Sequence, residues 1–395
     1  MKAGMLYIMI KRAISNKILS WAGQYPVVTI TGPRQSGKTT LCRMLFPDRE
    51  YVNLESPDTR QFVLSDPQGF LNRYRNGAVI DEIQRAPDLL SYLQVAVDRD
   101  PQPGRFILTG SQNFMLMETL SQSLAGRTAL AELLPFSLEE LVAGGIEMDL
   151  DGLLCSGFYP RIHDQHLNPA EALSFYVSTY VERDLRQLIT VRDLGKFEVF
   201  LKLSAGRIGQ ILNLSSLGND CGVSHNTVKS WLSILESSYI IKLLRPFYKN
   251  FNKRLLKSPK LYFLDPGLAA YLLDIRNPEQ LAVHPLRGFL FETLVVSELH
   301  KMRYNAGLKD NLYFYRDSNG NEVDIILDHG LHQDQLEIKS GQTINPDFFR
   351  GLVHFAGLNP AIRNSYLIYG GTEQRTQQGA EVLGWRHMNR ISITS

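Results

Sequence analysis

Short, uninterrupted apolar runs recur through the first third of the chain, with helical segments between them. Val27-Val28-Thr29-Ile30 comes first, then Tyr51-Val52-Asn53-Leu54-Glu55, Ala78-Val79-Ile80-Asp81-Glu82, Arg105 to Ser111, and Thr128 to Phe136. Runs of this kind suit parallel strands covered on both faces. The first module therefore reads as a doubly wound α/β sheet. From about 145 to 165 the chain turns rich in glycine and acidic residues and then reads Gly157-Phe158-Tyr159-Pro160, which predicts the edge of that core. Pro169 to Leu203 has a helical period. Leu214 to Lys229 reads as a short helix, a turn at Gly222 and a second helix capped by Ser224, with Val228, Trp231, Leu232 and Leu235 facing inward. Gly288 to Leu299 predicts an amphipathic helix, and Leu312 to Arg316 a strand. Asn319-Gly320 predicts a hairpin turn, Glu322 to Leu327 the returning strand, and Gln335 to Gly341 one more.

Composition narrows the class without naming a partner. A chain of 395 residues is long enough for two to four domains, and 44% apolar with 21% charged residues is ordinary for a globular protein. The net charge of +2 leaves any nucleic-acid surface to local clusters. Three cysteines, Cys42, Cys155 and Cys221, lie far apart without metal spacing, which points to a reducing compartment. The apolar stretch Met5 to Ile10 is shorter than a signal-peptide core, is followed at once by Lys11-Arg12, and lacks a small-residue cleavage site. No run elsewhere approaches the ~20 apolar residues of a membrane span. The expectation is a cytoplasmic protein without a membrane partner.

The run Thr31-Gly32-Pro33-Arg34-Gln35-Ser36-Gly37-Lys38-Thr39-Thr40 carries the first chemistry. It fits the phosphate-binding pattern G-x-x-x-x-G-K-S/T, with a strand entering and a helix leaving at Leu41 to Leu45. Glycines at 32 and 37 let the backbone turn its N–H groups toward phosphate oxygens, from Gly32 to Thr40. Lys38 then reaches the β- and γ-phosphates of a nucleoside triphosphate, and the Thr39 hydroxyl ligates Mg²⁺. Asp81-Glu82 closes a strand that ends beside this loop. Asp81 is placed to hold the Mg²⁺ hydration shell and Glu82 to orient and polarise the attacking water. Thr109 and Ser111 end the next strand; a hydroxyl there can contact the γ-phosphate or be satisfied in a turn.

Together with Ser123-Leu124-Ala125-Gly126-Arg127 before Leu133-Leu134-Pro135-Phe136, these motifs resemble the AAA+ ATPases. More narrowly, they resemble bacterial and archaeal ATP-binding proteins with a winged helix and a nuclease-like C-terminal domain, and the resemblance covers nearly the whole chain from about residue 15. It implies that Arg127 is an arginine finger acting on a neighbouring subunit, the alternative being a surface arginine at a helix end. It also implies self-association, from a dimer to a hexamer. Tyr176 to Arg186 resembles the family's lid, in which Arg183 or Arg186 would approach the nucleotide or form an intrahelical ion pair.

Two further constellations concern DNA. The first residues of a second helix in a helix-turn-helix face the major groove, here His225, Asn226 and Lys229. Lys242, Arg245, Lys249, Lys253, Arg254, Lys257 and Lys260 follow, with no acidic residue from 240 to 260 and with Phe247, Tyr248 and Phe251 interleaved. That stretch reads as a phosphate-tracking wing, with Lys249, Lys253 and Arg254 as contacts, or as the solvated face of a structural lid. Farther on, Glu337 and Lys339 leave the same face of their strand. Asp324 lies on the adjoining one, so Asp324 and Glu337 can hold Mg²⁺ or Mn²⁺ while Lys339 positions the attacking water. Glu292 adds a further ligand. This arrangement resembles the PD-(D/E)XK nucleases, notably archaeal Holliday-junction resolvases, with Val323 standing where that superfamily has proline. The resemblance implies branched DNA as substrate; the alternatives are a nuclease fold kept as a scaffold, its charges satisfied among themselves, and a nucleotide-dependent switch or assembly factor whose C-terminal domain binds DNA or a partner without cleaving. The expected organisation is an AAA+ core at 1–150, a helical lid at 151–205, a winged helix at 206–283 and a nuclease-like α/β domain at 284–395.

Overall fold

Each apolar run of the first module becomes a strand, and alternate residues along it point to opposite faces of one sheet. The structure, a computed structural model, describes residues 10–111, 123–181, 194–247 and 258–394. Strands β1 (Val27–Thr31), β2 (Glu50–Asn53), β3 (Ala78–Asp81), β4 (Phe106–Gly110) and β5 (Thr128–Glu132) pair in parallel in the order β2-β3-β4-β1-β5. Val27, Ile80, Phe106 and Leu108 join one core, while Val28, Ile30, Val79 and Ile107 join the core on the other face. The period of two divides a continuous apolar run between two layers. The run expected from Thr128 to Phe136 is a strand only as far as Glu132, with Pro135 beyond its end.

The stretch Gly157 to Pro160 is not a surface linker. Phe158 and Tyr159 are buried, and the Phe158 N–H donates to Asp265 Oδ2 at 2.7 Å. Asp265 also caps the helix Pro266–Leu272 by accepting from the Leu268 N–H at 2.9 Å. Gly157 has φ +66°, and a Cβ on it would lie 2.1 Å from Asp265 Oδ1. The glycine read as punctuation is thus a close approach of two segments more than a hundred residues apart in sequence.

Helices Leu214–Cys221 and His225–Ser237 meet at Gly222, whose φ of +65° supplies the left-handed cap. Ser224 caps the second helix through the Thr227 N–H at 3.1 Å. Beyond it, β6 (Ile241–Pro246) and β7 (Lys260–Phe263) form an antiparallel pair. This pair continues a larger sheet made with β8 (Leu312–Arg316), β9 (Glu322–Asp328), β10 (Gln333–Lys339), β11 (Ile362–Tyr369), β12 (Arg375–Gln377) and β13 (Ala380–Gly384). Its order is β12-β13-β11-β10-β9-β8-β6-β7, with β6 joining β8 through Arg245↔Tyr313 and Pro246↔Phe314. The sheet runs without a break across the boundary expected at 283/284.

The helix expected to be amphipathic runs Arg287–Asn305 and is buried on nearly all sides from Leu290 to Lys301. Two of its polar members are satisfied inside, whereas both His300 ring nitrogens and the Lys301 ammonium are buried without a hydrogen-bond partner among the described residues. The Ser297 hydroxyl donates to the Leu264 carbonyl at 2.6 Å, and Glu298 Oε1 accepts from the Leu138 N–H at 2.9 Å. A helix enclosed by a sheet on one side and the first module on the other does not need a polar face.

Candidate functional site

The loop Gly32 to Gly37 leaves the C-terminal end of β1 and enters the helix Lys38–Leu45, at the edge where parallel sheets bind ligands. Gly32 has φ +151°, and a Cβ there would lie 2.1 Å from the Leu133 carbonyl oxygen. Gly37, at φ +91°, sets the left-handed turn into the helix. Lys38 lies over the bend, donating to the carbonyls of Gly32 at 3.0 Å and Pro33 at 2.7 Å. Burial lowers its pKa to about 8, although Glu82 and Asp81 oppose the shift.

Asp81 gathers hydroxyls from the helix after the phosphate loop and from β2 and β4. The Thr39 hydroxyl donates to Asp81 Oδ2 at 2.8 Å, and the Tyr51 and Thr109 hydroxyls donate to the same carboxylate. Glu82, at φ +60°, departs from the strand in the left-handed region, a conformation that costs about 1–3 kcal/mol for a non-glycine residue. Its carboxylate accepts from the Gln84 amide, which also donates to the Ser111 hydroxyl at 2.9 Å. Burial raises the Glu82 pKa, with Lys38 pulling it down. A cavity of about 680 Å³ opens in front of these groups. Lys38, Thr39 and Glu82 line one side, and Arg161, Gln165 and Tyr180 face them. The Arg34 guanidinium lies over the Tyr180 ring, 5.4 Å from its centroid.

Beneath the loop lies a second support. Arg12 donates to the Ser36 carbonyl at 2.6 Å, to the Leu134 carbonyl at 2.6 Å and to Glu140 Oε1 at 3.0 Å. Glu140 completes a capping box with Ser137 and accepts from the Ala13 N–H at 2.6 Å. Arg12 thus ties the segment before the first helix to the phosphate loop through Ser36 and to the helix Leu138–Ala143 through a buried ion pair.

In the large sheet, Asp324, Glu337, Lys339 and Glu292 do come close together. Lys339 Nζ is 2.5 Å from Glu337 Oε1 and 3.9 Å from Asp324 Oδ2, which also accepts from the Ile338 N–H at 2.8 Å. Burial pushes Glu337 up to about 8, helped by the Asp324 charge and opposed by Lys339. Burial likewise raises Glu292 to about 7 against the pull of Lys260. The expected metal set Glu292, Asp324 and Glu337 is nevertheless not assembled. Among the described residues no three His, Cys, Asp or Glu side chains are grouped to hold a metal ion. Lys260 from β7 lies among them, pairing with Glu322, with Glu292 Oε1 at 3.4 Å and with Asp324 Oδ1 at 3.9 Å.

Family comparisons bear on both sites. A family model described as an AAA domain matches residues 24–142. Models of two domains of unknown function, DUF8612 and DUF4143, match residues 147–279 and 287–388. The uncharacterized proteins Rv2008c of Mycobacterium tuberculosis (strain H37Rv) and Mb2031c of Mycobacterium bovis are each 31% identical over 330 residues, covering 83% of this chain and 73% of theirs. This chain belongs to their family. Its residues 24–142 are an AAA-type P-loop ATPase domain. Solved structures that superpose in part include the Walker-type ATPase paby2304 of Pyrococcus abyssi, at 15% identity and a TM-score of 0.45 over 67% of this chain and 96% of that one. AMPPCP-bound DnaA from Aquifex aeolicus superposes at 13% identity and a TM-score of 0.28 over 56% and 85%.

Within this AAA-type protein the remaining expected residues divide by position. Arg127 sits at the N-terminal edge of the sheet, where its carbonyl accepts from the Val27 N–H at 3.2 Å. The phosphate loop leaves the opposite end of β1, so Arg127 is remote from its own site. It is half-buried there and pairs with Asp98 at 2.5 Å. His225, Asn226 and Lys229 are exposed on the first turns of their helix, while Val228, Trp231, Leu232 and Leu235 are buried. Lys249, Lys253, Arg254 and Lys257 lie outside the described residues, as do Arg183 and Arg186. Of the rest of the basic stretch, Arg245 is exposed, but Lys242 pairs with Asp310 at 2.7 Å and Lys260 turns inward. They correct the picture of one continuous basic wing, because a strand's two faces differ and here Lys242 and Lys260 leave on faces that meet carboxylates. Sequence reasoning missed Arg12, Gln84 and Tyr239. Only Gln84, two residues past Glu82, carried a local hint.

No helix among the described residues is long and apolar enough to cross a membrane.

Proposed function

We propose that this AAA-type protein hydrolyses ATP and uses its nucleotide state to govern how it engages DNA. The observation that carries the proposal is the Thr39–Asp81 contact beside a Glu82 held by Gln84 at the mouth of the cavity. ATP would be held by the loop amides from Gly32 to Thr40 and by Lys38, and Mg²⁺ by Thr39 and Asp81. The donor set fits, since hydroxyl and carboxylate oxygens suit a hard cation. Bound there, Mg²⁺ supplies charge neutralisation at the phosphates. Glu82 orients the attacking water and accepts its proton, and a raised pKa makes it the better base while it stays ionised. Gln84 fixes the Glu82 carboxylate, and Ser111, sharing that amide, reports on the γ-phosphate side.

Glu82→Gln tests the assignment: ATP affinity should persist while turnover falls by about 10²–10⁴-fold. Normal turnover would refute Glu82 as base. DNA contact rests on the exposed His225, Asn226 and Lys229. A DNA affinity that does not change with salt would remove it. Self-association rests on Arg127, which can serve only another subunit's site.

For the C-terminal module two readings stand, metal-dependent cleavage of branched DNA or binding of DNA or a protein partner without cleavage. Lys260 among the acids favours the second. Branched DNA incubated with Mg²⁺ or Mn²⁺ and the wild type, Lys38→Ala or Glu337→Ala separates them. Cleavage lost in Glu337→Ala supports the nuclease, and no cleavage by any form supports binding alone.

A further inference from the structure

Lys260 carries a charge that the sequence pattern assigns to a basic wing, yet it is only 3% exposed. Its strand leaves it no freedom to swing outward. The backbone pairs with Leu244 in β6 and with Ile211, and the neighbouring Pro259 carbonyl accepts from the Leu212 N–H at 2.8 Å. Two residues on, Tyr262 leaves the same face and donates to Glu292. The ammonium thus touches Glu322, Glu292 and Asp324 from one side and lies 5.4 Å from the Phe314 ring centroid. Lys339 takes Glu337 and the other Asp324 oxygen from the opposite side. Glu322, Glu292 and Asp324 Oδ1 thus converge on the Lys260 ammonium, while Lys339 takes Glu337 and Asp324 Oδ2.

A divalent ion such as Mg²⁺ or Mn²⁺ needs several oxygens converging at roughly 2.0–2.6 Å. Here the convergence point lies against a tethered ammonium, which would repel a second cation. We infer that Lys260 is the resident cation of this cluster, its ammonium standing where the acids would otherwise take a divalent ion. The cluster then works as a lock between the β6–β7 hairpin and the C-terminal sheet, and removing the lysine exposes a latent metal site. This deepens the non-cleaving reading of the C-terminal module and is independent of ATP turnover.

Mn²⁺ titration of the full-length, nucleotide-free protein, followed by electron paramagnetic resonance, tests it. Wild type and Asp324→Asn should take up Mn²⁺ identically, because any uptake at the phosphate loop is untouched by that change. Lys260→Met, which keeps the length and loses the charge, should gain about one site per chain with a dissociation constant below roughly 1 mM. Lys260→Met combined with Asp324→Asn should lose it. A wild-type site abolished by Asp324→Asn overturns the inference. So does a folded Lys260→Met protein, checked by circular dichroism, that gains no Mn²⁺. If Lys260→Met does not fold, Lys260→Gln is read in its place, with the same gain expected and the same absence of gain overturning the inference.

Discussion

Lys38 shows how one side chain carries both the promise and the cost of the phosphate grip. Burial lowers its pKa to about 8, below its ordinary 10.5. Its ammonium is therefore complete well below pH 8 and fades as pH rises through that value. A triphosphate needs the charged form, so ATP affinity is expected to fall by about tenfold between pH 7 and pH 9. Binding near pH 8 should also take up part of a proton. Calorimetry in buffers of different ionisation enthalpy measures both, and a flat affinity profile would contradict the account. For stability the sign is opposite: the folded pKa lies below the unfolded one, so the penalty for burying Lys38 recedes between pH 8 and 10.5. The loop motif that places Lys38 was legible from local spacing alone. Arg12, which holds that loop's Ser36 carbonyl, was not, because its partners lie 24 to 128 residues away.

Elements transmit what residues begin, and two contacts join them. Arg12 and Glu140 form a buried pair beneath the phosphate loop, at 5% and 2% exposure. Removing one partner strands the other, so Arg12→Ala should destabilise this region by about 3–5 kcal/mol. Amide exchange at Ser137 to Ala143 should accelerate accordingly, and unchanged protection would argue against the tie. The second contact is Tyr239, at φ +56° just beyond the helix His225–Ser237. Its hydroxyl bonds to Glu132 Oε1 at 2.8 Å and lies 3.1 Å from Thr31 Oγ1, one residue before the phosphate loop. Tyr239→Phe should cost about 1–3 kcal/mol by leaving Glu132 short of a partner. It should also shrink the difference in DNA affinity measured with and without a nonhydrolysable ATP analogue. If that difference persists, the helix pair is not coupled to the loop through Tyr239. The two helices themselves were readable from Gly222 and Ser224; the side on which they dock was not.

At the scale of the whole molecule, the question is whether one chain makes a complete catalytic site. Arg127 lies at the far edge of its own sheet, so a finger role requires a neighbour. Turnover per chain should rise with protein concentration, and Arg127→Ala should lower it by about 10³-fold or more at the plateau. A variant with wild-type turnover at every concentration would leave Arg127 as Asp98's surface partner. The C-terminal sheet poses the same question in another form. Its strands and hairpin followed from period and turn chemistry, since Leu312–Arg316 appears where the pattern places it and Gly320 takes φ +87°. That β6 and β7 extend this sheet was invisible, because edge pairing between segments far apart leaves no local period.

The sequence by itself determined the local grips: the glycine bend with its lysine and threonine, the paired acids at a strand end, and the capped helices. Each depends on residues within a few positions of one another, where backbone geometry alone dictates which groups meet. Only the tertiary structure decided the partners of the charges. Lys242 and Lys260 face acids instead of solvent, Arg12 holds a loop, and Tyr239 meets β1 and β5. A residue's charge is written in the chain, but whether water or a carboxylate answers it depends on which distant surfaces pack together.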